Sequence, residues 1–352
     1  MTDIADMVAV RKVAPGPDNI SISRFEVPSA PSGDEVVVRV RAAGICGTDL
    51  LIYKWGDFAK RMQLPTILGH EVCGIVEDVG SQVHSLKVGD RVSVESHQPC
   101  GSCYTCHRGW SHVCPNTRYP GVDFDGGFAP LVKLPERILW KVADEISDSS
   151  AAMMEPFGIA VHASTEGCGV SGLSVIVCGC GPIGLMNVAA AKALGATCVI
   201  AVDVNDYRLD AASKMGADVT INTSLNELKE SLPSRFAKRG IDVAIDYSGS
   251  PSALAGLSDV LTPGGELRLL GVPPTGCDLS LDKWVMKGLI VRGLHGRRLF
   301  ETWERATELL VDRKVSLDGL VSHDLPLKDA QHGFDLALKG QALKILLRPD
   351  LR

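Results

Sequence analysis

The chain has 352 residues, 36 Lys and Arg against 42 Asp and Glu, a formal net charge of −6 and a hydrophobic fraction of 45%. The charge offers nothing to attract nucleic acid or an anionic membrane, no apolar run reaches the ~18 residues of a bilayer span, and the first dozen residues carry acids where a signal peptide needs an apolar stretch. The length predicts two domains, and eleven cysteines with no secretion signal predict metal ligation in a reducing compartment, the cytoplasm.

Residues 1 to about 155 read as β-rich, with turns. Residues 35–43, 72–79 and 88–95 alternate or run apolar, Gly33-Asp34 and Gly89-Asp90 mark turns, and Gly126-Gly127 precedes a short strand at 128–134. Cys46 follows the first of these strands, between Gly44 and Gly47. His70 and Glu71 follow Gly69 and lead into the second. A lone Cys or His is usually packing. Strand ends joined by glycine turns are, however, places where ligands converge. Cys46, His70 and one carboxylate match the three protein ligands of an open, catalytic zinc site.

Between them and the next domain lies Cys100-x-x-Cys103-x-x-Cys106-x7-Cys114. Zinc prefers a tetrahedral cage of thiolates, and closely spaced cysteines supply several ligands from one turn. Gly101 and Gly109 allow the sharp bends of such a lobe. An iron–sulfur cluster uses related spacing, and four reduced thiols without metal are the bland alternative. The closed zinc cage fits the spacing best, and its role is structural because it leaves no open position.

From about 172 the pattern changes to strand–helix alternation. An apolar run at 174–178 enters Gly179-Cys180-Gly181-Pro182-Ile183-Gly184, then a helix at 185–194 and a strand at 198–202 that ends on Asp203. This is Gly-x-Gly-x-x-Gly between strand and helix, with an acid 19 residues after the last glycine. The glycines let a pyrophosphate approach the backbone N–H groups of the helix start. Asp203 would accept from ribose hydroxyls and repel a 2′-phosphate, which favours NAD over NADP. A glycine turn that binds nothing is the alternative. Helices at 207–215 and 254–261 and strands at 241–247, 267–272 and 289–294 bring the named strands to five, close to the six of a doubly wound sheet. A helix at 301–312 and an apolar ending at 345–347 close the chain.

These residues together resemble the zinc-dependent medium-chain alcohol dehydrogenase family over nearly the whole length. Gly69-His70-Glu71-x-x-Gly74-x5-Gly80-x-x-Val83 is similar to its zinc signature, and the cysteine lobe and nucleotide fingerprint follow in its order. The L-threonine 3-dehydrogenase branch is resembled through Ile45-Cys46-Gly47-Thr48-Asp49, Glu155-Pro156-Phe157-Gly158 with Ala160-Val161-His162, Asp203-Val204-Asn205-Asp206-Tyr207-Arg208-Leu209, and Gly296-Arg297-Arg298-x-Phe300-Glu301-Thr302-Trp303. Sorbitol and butanediol dehydrogenases share the zinc arrangement.

The resemblance implies an α/β chain: a GroES-like β-rich catalytic domain over 1–160 and 300–352, and a Rossmann doubly wound parallel sheet over 161–299, with the cleft between them. It implies NAD, two zinc ions per chain (one catalytic, one structural) and a homotetramer. The implied reaction is oxidation of a secondary alcohol, a polyol, sugar alcohol or β-hydroxy amino acid, by hydride transfer to NAD, with Lewis-acid help from zinc. Zinc would be held by Cys46, His70 and either Glu71 or Glu155, and structurally by Cys100, Cys103, Cys106 and Cys114. Thr48 would pass on the hydroxyl proton. Glu155 is an alternative relay, or a helix N-terminal acid. His97 matches a pocket histidine of the threonine enzymes, or is a bland surface histidine.

On the nucleotide side, Ile183, Asp203 and Arg208 fall on NAD-contacting positions beside Gly179, Gly181 and Gly184. Leu270, Gly271, Val272, Leu294 and His295 fall where the nicotinamide half is lined. One departure stands out: the threonine branch carries a histidine five residues after the zinc cysteine, and here that position is Leu51, which transfers no proton. L-threonine 3-dehydrogenase proper is therefore the alternative reading. A zinc-stabilised nucleotide sensor without catalysis is the alternative of another class, against which the intact Cys46, Thr48 and His70 speak.

Overall fold

The hydrophobic alternation beginning at Glu35 forms a ten-residue strand, Glu35–Gly44, in a computed structural model that describes residues 6–276, 279 and 281–349. It is the hub of a seven-stranded sheet. Along the sheet the order is Val321–Pro326, Lys344–Arg348, Glu35–Gly44, Glu71–Val79, Arg91–Val94 and Leu139–Lys141, with Leu131–Pro135 also pairing to the hub. A smaller three-stranded sheet joins Ile20–Glu26, Asp6–Lys12 and Thr66–Ile67. Val36, Val38 and Val40 of the hub bury against Val72, Val76, Phe128 and Leu134 in one hydrophobic cluster. Each such side chain removed from water contributes about 1.5–3 kcal/mol.

The register of the hub strand does more than bury valines. Antiparallel pairing sets Gly44 opposite Glu71 on one side and opposite Leu346 on the other. The residue pairs 45–46, 70–71 and 344–345 are thereby brought to one end of the sheet, although they lie far apart in sequence.

The chain divides into two compact units, Met1–Glu155 with Ser316–Arg352, and Pro156–Val315. The second unit holds a six-stranded, wholly parallel sheet in the order Val219–Asn222, Cys198–Asp203, Ser174–Cys178, Ile241–Asp246, Leu261–Leu269, Ile290–Gly293. Numbered along the chain this is 3-2-1-4-5-6, the doubly wound dinucleotide-binding order. All five residues of Ser174–Cys178 and all six of Cys198–Asp203 are buried, as expected for central strands covered on both faces.

Two boundaries differ from expectation. The strand expected at 267–272 runs Leu261–Leu269, so Leu270, Gly271 and Val272 lie beyond it, and the preceding helix is Pro251–Val260. The Pro263-Gly264-Gly265 stop is absorbed as an irregularity in the strand: Ile241 pairs Leu261, and Val243 pairs Glu266. Bulges of this kind accommodate proline and glycine inside a ladder.

Candidate active site

Cys46 caps the helix Gly47–Tyr53. The Asp49 carboxylate reaches back to accept the Cys46 N–H at 2.9 Å, which fixes the turn that presents the thiol. Gly69 sits at φ +95°, where a Cβ would come within 2.3 Å of the Phe128 ring. Only glycine lets the chain turn there and deliver His70 and Glu71 to the sheet end. The ligand atoms of Cys46, His70 and Glu71 all lie within 4.8 Å of one another, and His70 and Glu71 are buried. A thiolate, an imidazole and a carboxylate form a donor set that suits zinc, and three protein donors leave a fourth position open.

The electrostatics of this trio point the same way. Burial pushes the Cys46 thiol up, the Glu71 charge pushes it further, and His70 and Lys344 pull it back. Burial works to lower His70, yet the Cys46 and Asp49 charges beside it hold it well above the ordinary histidine value. Asp49, wholly buried, is raised by burial, and its second oxygen lies 3.8 Å from His70 Nδ1. Acidic groups thus crowd a small buried volume, and a divalent cation would relieve their repulsion. At 3.8 Å this carboxylate is a charged neighbour of the imidazole and not its hydrogen-bond partner.

One partner was not visible in the sequence. Lys344, from the strand Lys344–Arg348, is buried and forms an ion pair with the Glu71 carboxylate, while its Nζ donates to Ile45 O at 3.1 Å. Glu71 therefore faces both the other two members of the trio and a buried cation. Glu155 is buried in the first unit but stands outside the trio; its Oε1 accepts from Ser96 Oγ at 2.5 Å. His97 is buried, not a surface histidine, and its Nδ1 lies 3.0 Å from Glu95 Oε1 and 3.2 Å from Ser96 Oγ. Thr48 lies in the first turn after Cys46, half-buried, and Leu51 one turn on is 54% exposed.

The cysteine lobe brings all four predicted thiols together. Sγ–Sγ separations are 3.5 Å for Cys103–Cys106, 3.7 Å for Cys103–Cys114 and 3.6 Å for Cys114–Cys100. A tetrahedron of Zn–S bonds of about 2.3 Å has edges of about 3.8 Å, so these spacings fit a four-thiolate cage. They are far too long for a disulfide. Gly101 at φ +75° and Gly109 at φ +77° supply the bends. The N–H of Ser102, then that of Cys103, lowers the Cys100 thiol to about 5, whereas burial and the neighbouring thiols raise Cys106 to about 11.

In the second unit the predicted nucleotide residues gather at the carboxyl ends of the parallel strands. Gly179 sits at φ +89°, and a Cβ on Gly184 would meet Gly179 O at 2.0 Å, so strand and helix pack only through glycine here. Gly181 caps the helix Pro182–Ala193, with Ile183 half-buried in its first turn. The Asp203 carboxylate accepts from the N–H of Cys180 at 2.7 Å and from those of Val204 and Asn205 at 2.8 and 2.9 Å. It therefore braces the glycine turn. Arg208 Nη1 stands 3.9 Å from the same carboxylate. Leu270 and Gly271 follow the fifth strand, and their N–H groups donate to Asp246 O at 2.9 Å. Val272 is exposed, and Leu294 and His295 follow the sixth strand. Asp246, missed in the sequence, is fully buried and accepts from the N–H of Ser248 and Gly249 at 3.1 and 2.9 Å, shaping the loop after the fourth strand.

Comparison with known proteins agrees with this anatomy. Residues 32–144 match the model of the alcohol dehydrogenase GroES-like domain, and residues 182–312 match that of the zinc-binding dehydrogenases. The L-threonine 3-dehydrogenase of Bacillus velezensis is 42% identical over 332 residues, 94% of this chain and 95% of that protein. The crystal structure of 2R,3R-butanediol dehydrogenase from Bacillus subtilis superposes with a TM-score of 0.89 at 30% identity, covering 98% of this chain and 100% of that one. A zinc-binding dehydrogenase from Sinorhizobium meliloti 1021, bound to NADP, gives a TM-score of 0.90 at 28% identity, covering 98% and 99%. With a GroES-like unit, a doubly wound unit and relatives this similar along the whole chain, the protein belongs to the zinc-dependent medium-chain alcohol dehydrogenase family.

Proposed function

We propose that this protein is an NAD-dependent dehydrogenase that oxidises a secondary alcohol bearing a second polar group beside the carbinol, a polyol or a β-hydroxy amino acid. The observation that carries the reading is the convergence of Cys46, His70 and Glu71 within 4.8 Å. Cys46, His70 and Glu71 would hold a catalytic zinc, with Glu155 behind them, and Cys100, Cys103, Cys106 and Cys114 a structural one. Bound zinc would supply Lewis acidity that eases ionisation of a hydroxyl, and bound NAD would accept the hydride.

The chain's own residues would do the rest. Asp49 sets a negative charge beside His70, and Lys344 offsets the Glu71 charge. The Thr48 hydroxyl receives the departing proton, and with leucine at 51 the proton leaves by Glu155, Ser96 and His97 or by water. Gly179, Gly181, Ile183 and Gly184 would take the pyrophosphate side. Asp203 and Arg208 would take the adenosine ribose, and Leu270, Gly271, Val272, Leu294 and His295 the nicotinamide half. A free Asp203 oxygen lone pair suits a ribose hydroxyl and repels a 2′-phosphate, which supports NAD over NADP.

The similarity to L-threonine 3-dehydrogenases favours the β-hydroxy amino acid, and Leu51 favours another secondary alcohol. Initial rates of NADH formation with L-threonine, 2,3-butanediol, sorbitol and threitol decide between them. Turnover of at least one is expected; none with any of the four, in protein carrying zinc, would sink the proposal.

The exposed Ile290 and Val291 on the sixth strand, at the sheet edge, and the exposed Val285 and Met286 just before it, support a self-associating surface and hence the homotetramer. Light scattering of the eluting protein measures the mass that checks it. Among the described residues no helix is long and apolar enough to cross a membrane. Among the described residues ten cysteines are free thiols, which supports a cytoplasmic location.

A further inference from the structure

Three connections at the carboxyl ends of the parallel strands press main chain against main chain, all within the second unit. A Cβ on Gly179, in the turn after the first strand, would come within 2.9 Å of Ser248 N. A Cβ on Gly249, at φ +62°, would come within 2.6 Å of Val272 O, and one on Gly271 within 2.2 Å of Gly249 N. Contacts this close leave room for glycine alone. The turn at 179–181, the loop at 247–250 and the loop at 270–272 therefore form one layer, with the loop at 247–250 in the middle.

Asp246 ends the strand that feeds the middle loop, and it is fully buried. Its Oδ1 accepts the Ser248 N–H at 3.1 Å and the Ser248 hydroxyl at 2.6 Å, and its Oδ2 accepts the Gly249 N–H at 2.9 Å. Its main-chain oxygen accepts the N–H groups of Leu270 and Gly271, both at 2.9 Å. One residue thus ties the middle loop through its side chain and the next loop through its main chain. Burial pushes the carboxyl up, and the Ser248 and Gly249 donors pull it back. Keeping a carboxylate this deep on neutral donors is costly, and an ordinary turn does without one, since serine or asparagine closes it. The charge sits where it locks the layer.

We propose that Asp246 is a positioning residue for the nicotinamide half of NAD: it locks the loops at 247–250 and 270–272 into one wall against which that half is placed. The assignment rests on the NAD reading above, which gives Leu270, Gly271 and Val272 to the nicotinamide half. Val272 suits the role, because its main chain packs on Gly249 while its side chain is 89% exposed. The same reading gives the adenosine ribose to Asp203 and Arg208, to which Asp246 makes no hydrogen bond among the described residues. Loosening Asp246 should therefore separate the two halves of one ligand. A wall formed in advance lowers the ordering cost of binding, and hydride transfer needs the ring held in line. Asp246 acts through the two loops and not by touching the cofactor.

Calorimetry on zinc-loaded protein tests this without any alcohol, by comparing NADH with ADP-ribose, which carries the adenosine and the pyrophosphate but no nicotinamide. Asp246→Asn keeps one acceptor oxygen and turns an NH2 toward the remaining N–H donors. The Kd for NADH should rise about 10-fold, as for a lost hydrogen bond to a charged group, while the Kd for ADP-ribose stays within about 2-fold. A purely structural role would lower the unfolding midpoint and weaken both ligands alike or neither, and either result would overturn the proposal. Should Asp246→Asn fail to fold, Ser248→Ala removes only the donor at 2.6 Å. It should weaken NADH about 3-fold and leave ADP-ribose unchanged, and equal shifts, or none, would again overturn the proposal. A parent protein that binds neither NADH nor ADP-ribose would reject the NAD reading itself, and the positioning role with it. Failure of the inference alone is distinct: the parent binds both ligands, and the variants do not tell them apart.

Discussion

The two thiol-bearing regions of the first unit are built in opposite ways. The lobe gathers four thiols from fifteen consecutive residues, Cys100 to Cys114, folded around two positive-φ glycines. The open trio takes Cys46 from one strand end and His70 and Glu71 from another, and its charge is balanced by Lys344, almost three hundred residues beyond Cys46. A closed cage needs only local turns to converge. An open site needs a sheet register to bring its parts together and deep burial to hold them. The first can be lost without disturbing the core; the second is part of the core's edge.

Substitution at the open trio should give the largest effect. Cys46→Ser should lower kcat/KM about 1,000-fold or more, since metal-assisted ionisation is worth several kcal/mol and 1.4 kcal/mol is tenfold. The lobe should keep its zinc and the unfolding midpoint should barely move. Elemental analysis beside steady-state rates checks this, and a loss of both metals would mean that the two regions are not independent.

Lys344→Met probes the charge balance. Removing one partner of a buried ion pair typically costs about 3–5 kcal/mol. If Glu71 also serves a cation, that cost should appear in full only in chelator-treated protein, and shrink when zinc is restored. Thermal unfolding with and without chelator measures the difference. An identical loss in both states would remove Glu71 from the cation's reach.

Much of this contrast could be read in the sequence, and the part that could not has a physical reason. The quartet's spacing is its geometry, so the lobe was legible. The glycine turn was legible too, because Gly179 and Gly184 are there for a close approach that no other residue permits. Lys344 was not: a lysine in an apolar final strand looks like a solvated edge residue until the Gly44–Leu346 register places it beside Glu71. Glu95 and Ser96 were passed over for the same reason, since pattern reading assigns polar residues at a strand end to solvent. The strands Asp6–Lys12 and Ile20–Glu26 were missed because their arginine, lysine and serine content hides a weak alternation. His97 was left open between pocket and surface; its burial excludes the surface histidine and leaves the pocket a proposal.

The glycine turn lies between the two extremes, local in its glycines and long-range in its acid. Asp203 braces Cys180, and the proposal above also gives it the ribose. Asp203→Asn should therefore shift the NAD over NADP preference by about 10–100-fold, the 1.5–3 kcal/mol of a charge-assisted hydrogen bond, with a small loss of stability. The ratio of kcat/KM values for the two cofactors reads it. An unchanged ratio would leave Asp203 as a brace alone.

The smallest global effect should come from the most conspicuous motif. No residue from 100 to 114 belongs to the first unit's hydrophobic cluster, whose members pass from Val94 directly to Val122. Lobe folding can therefore depend on its metal, as small thiolate sites do, while the core does not. Cys106→Ser should lose one zinc per chain and become open to proteolysis within the lobe. The rest of the chain should unfold within about 1 kcal/mol of the parent, a shift of roughly 2–4 °C. A collapse of overall stability would mean that the lobe's closure is propagated through Cys114 and Gln98 into the sheet, and that the local and the assembled sites share one folding unit after all.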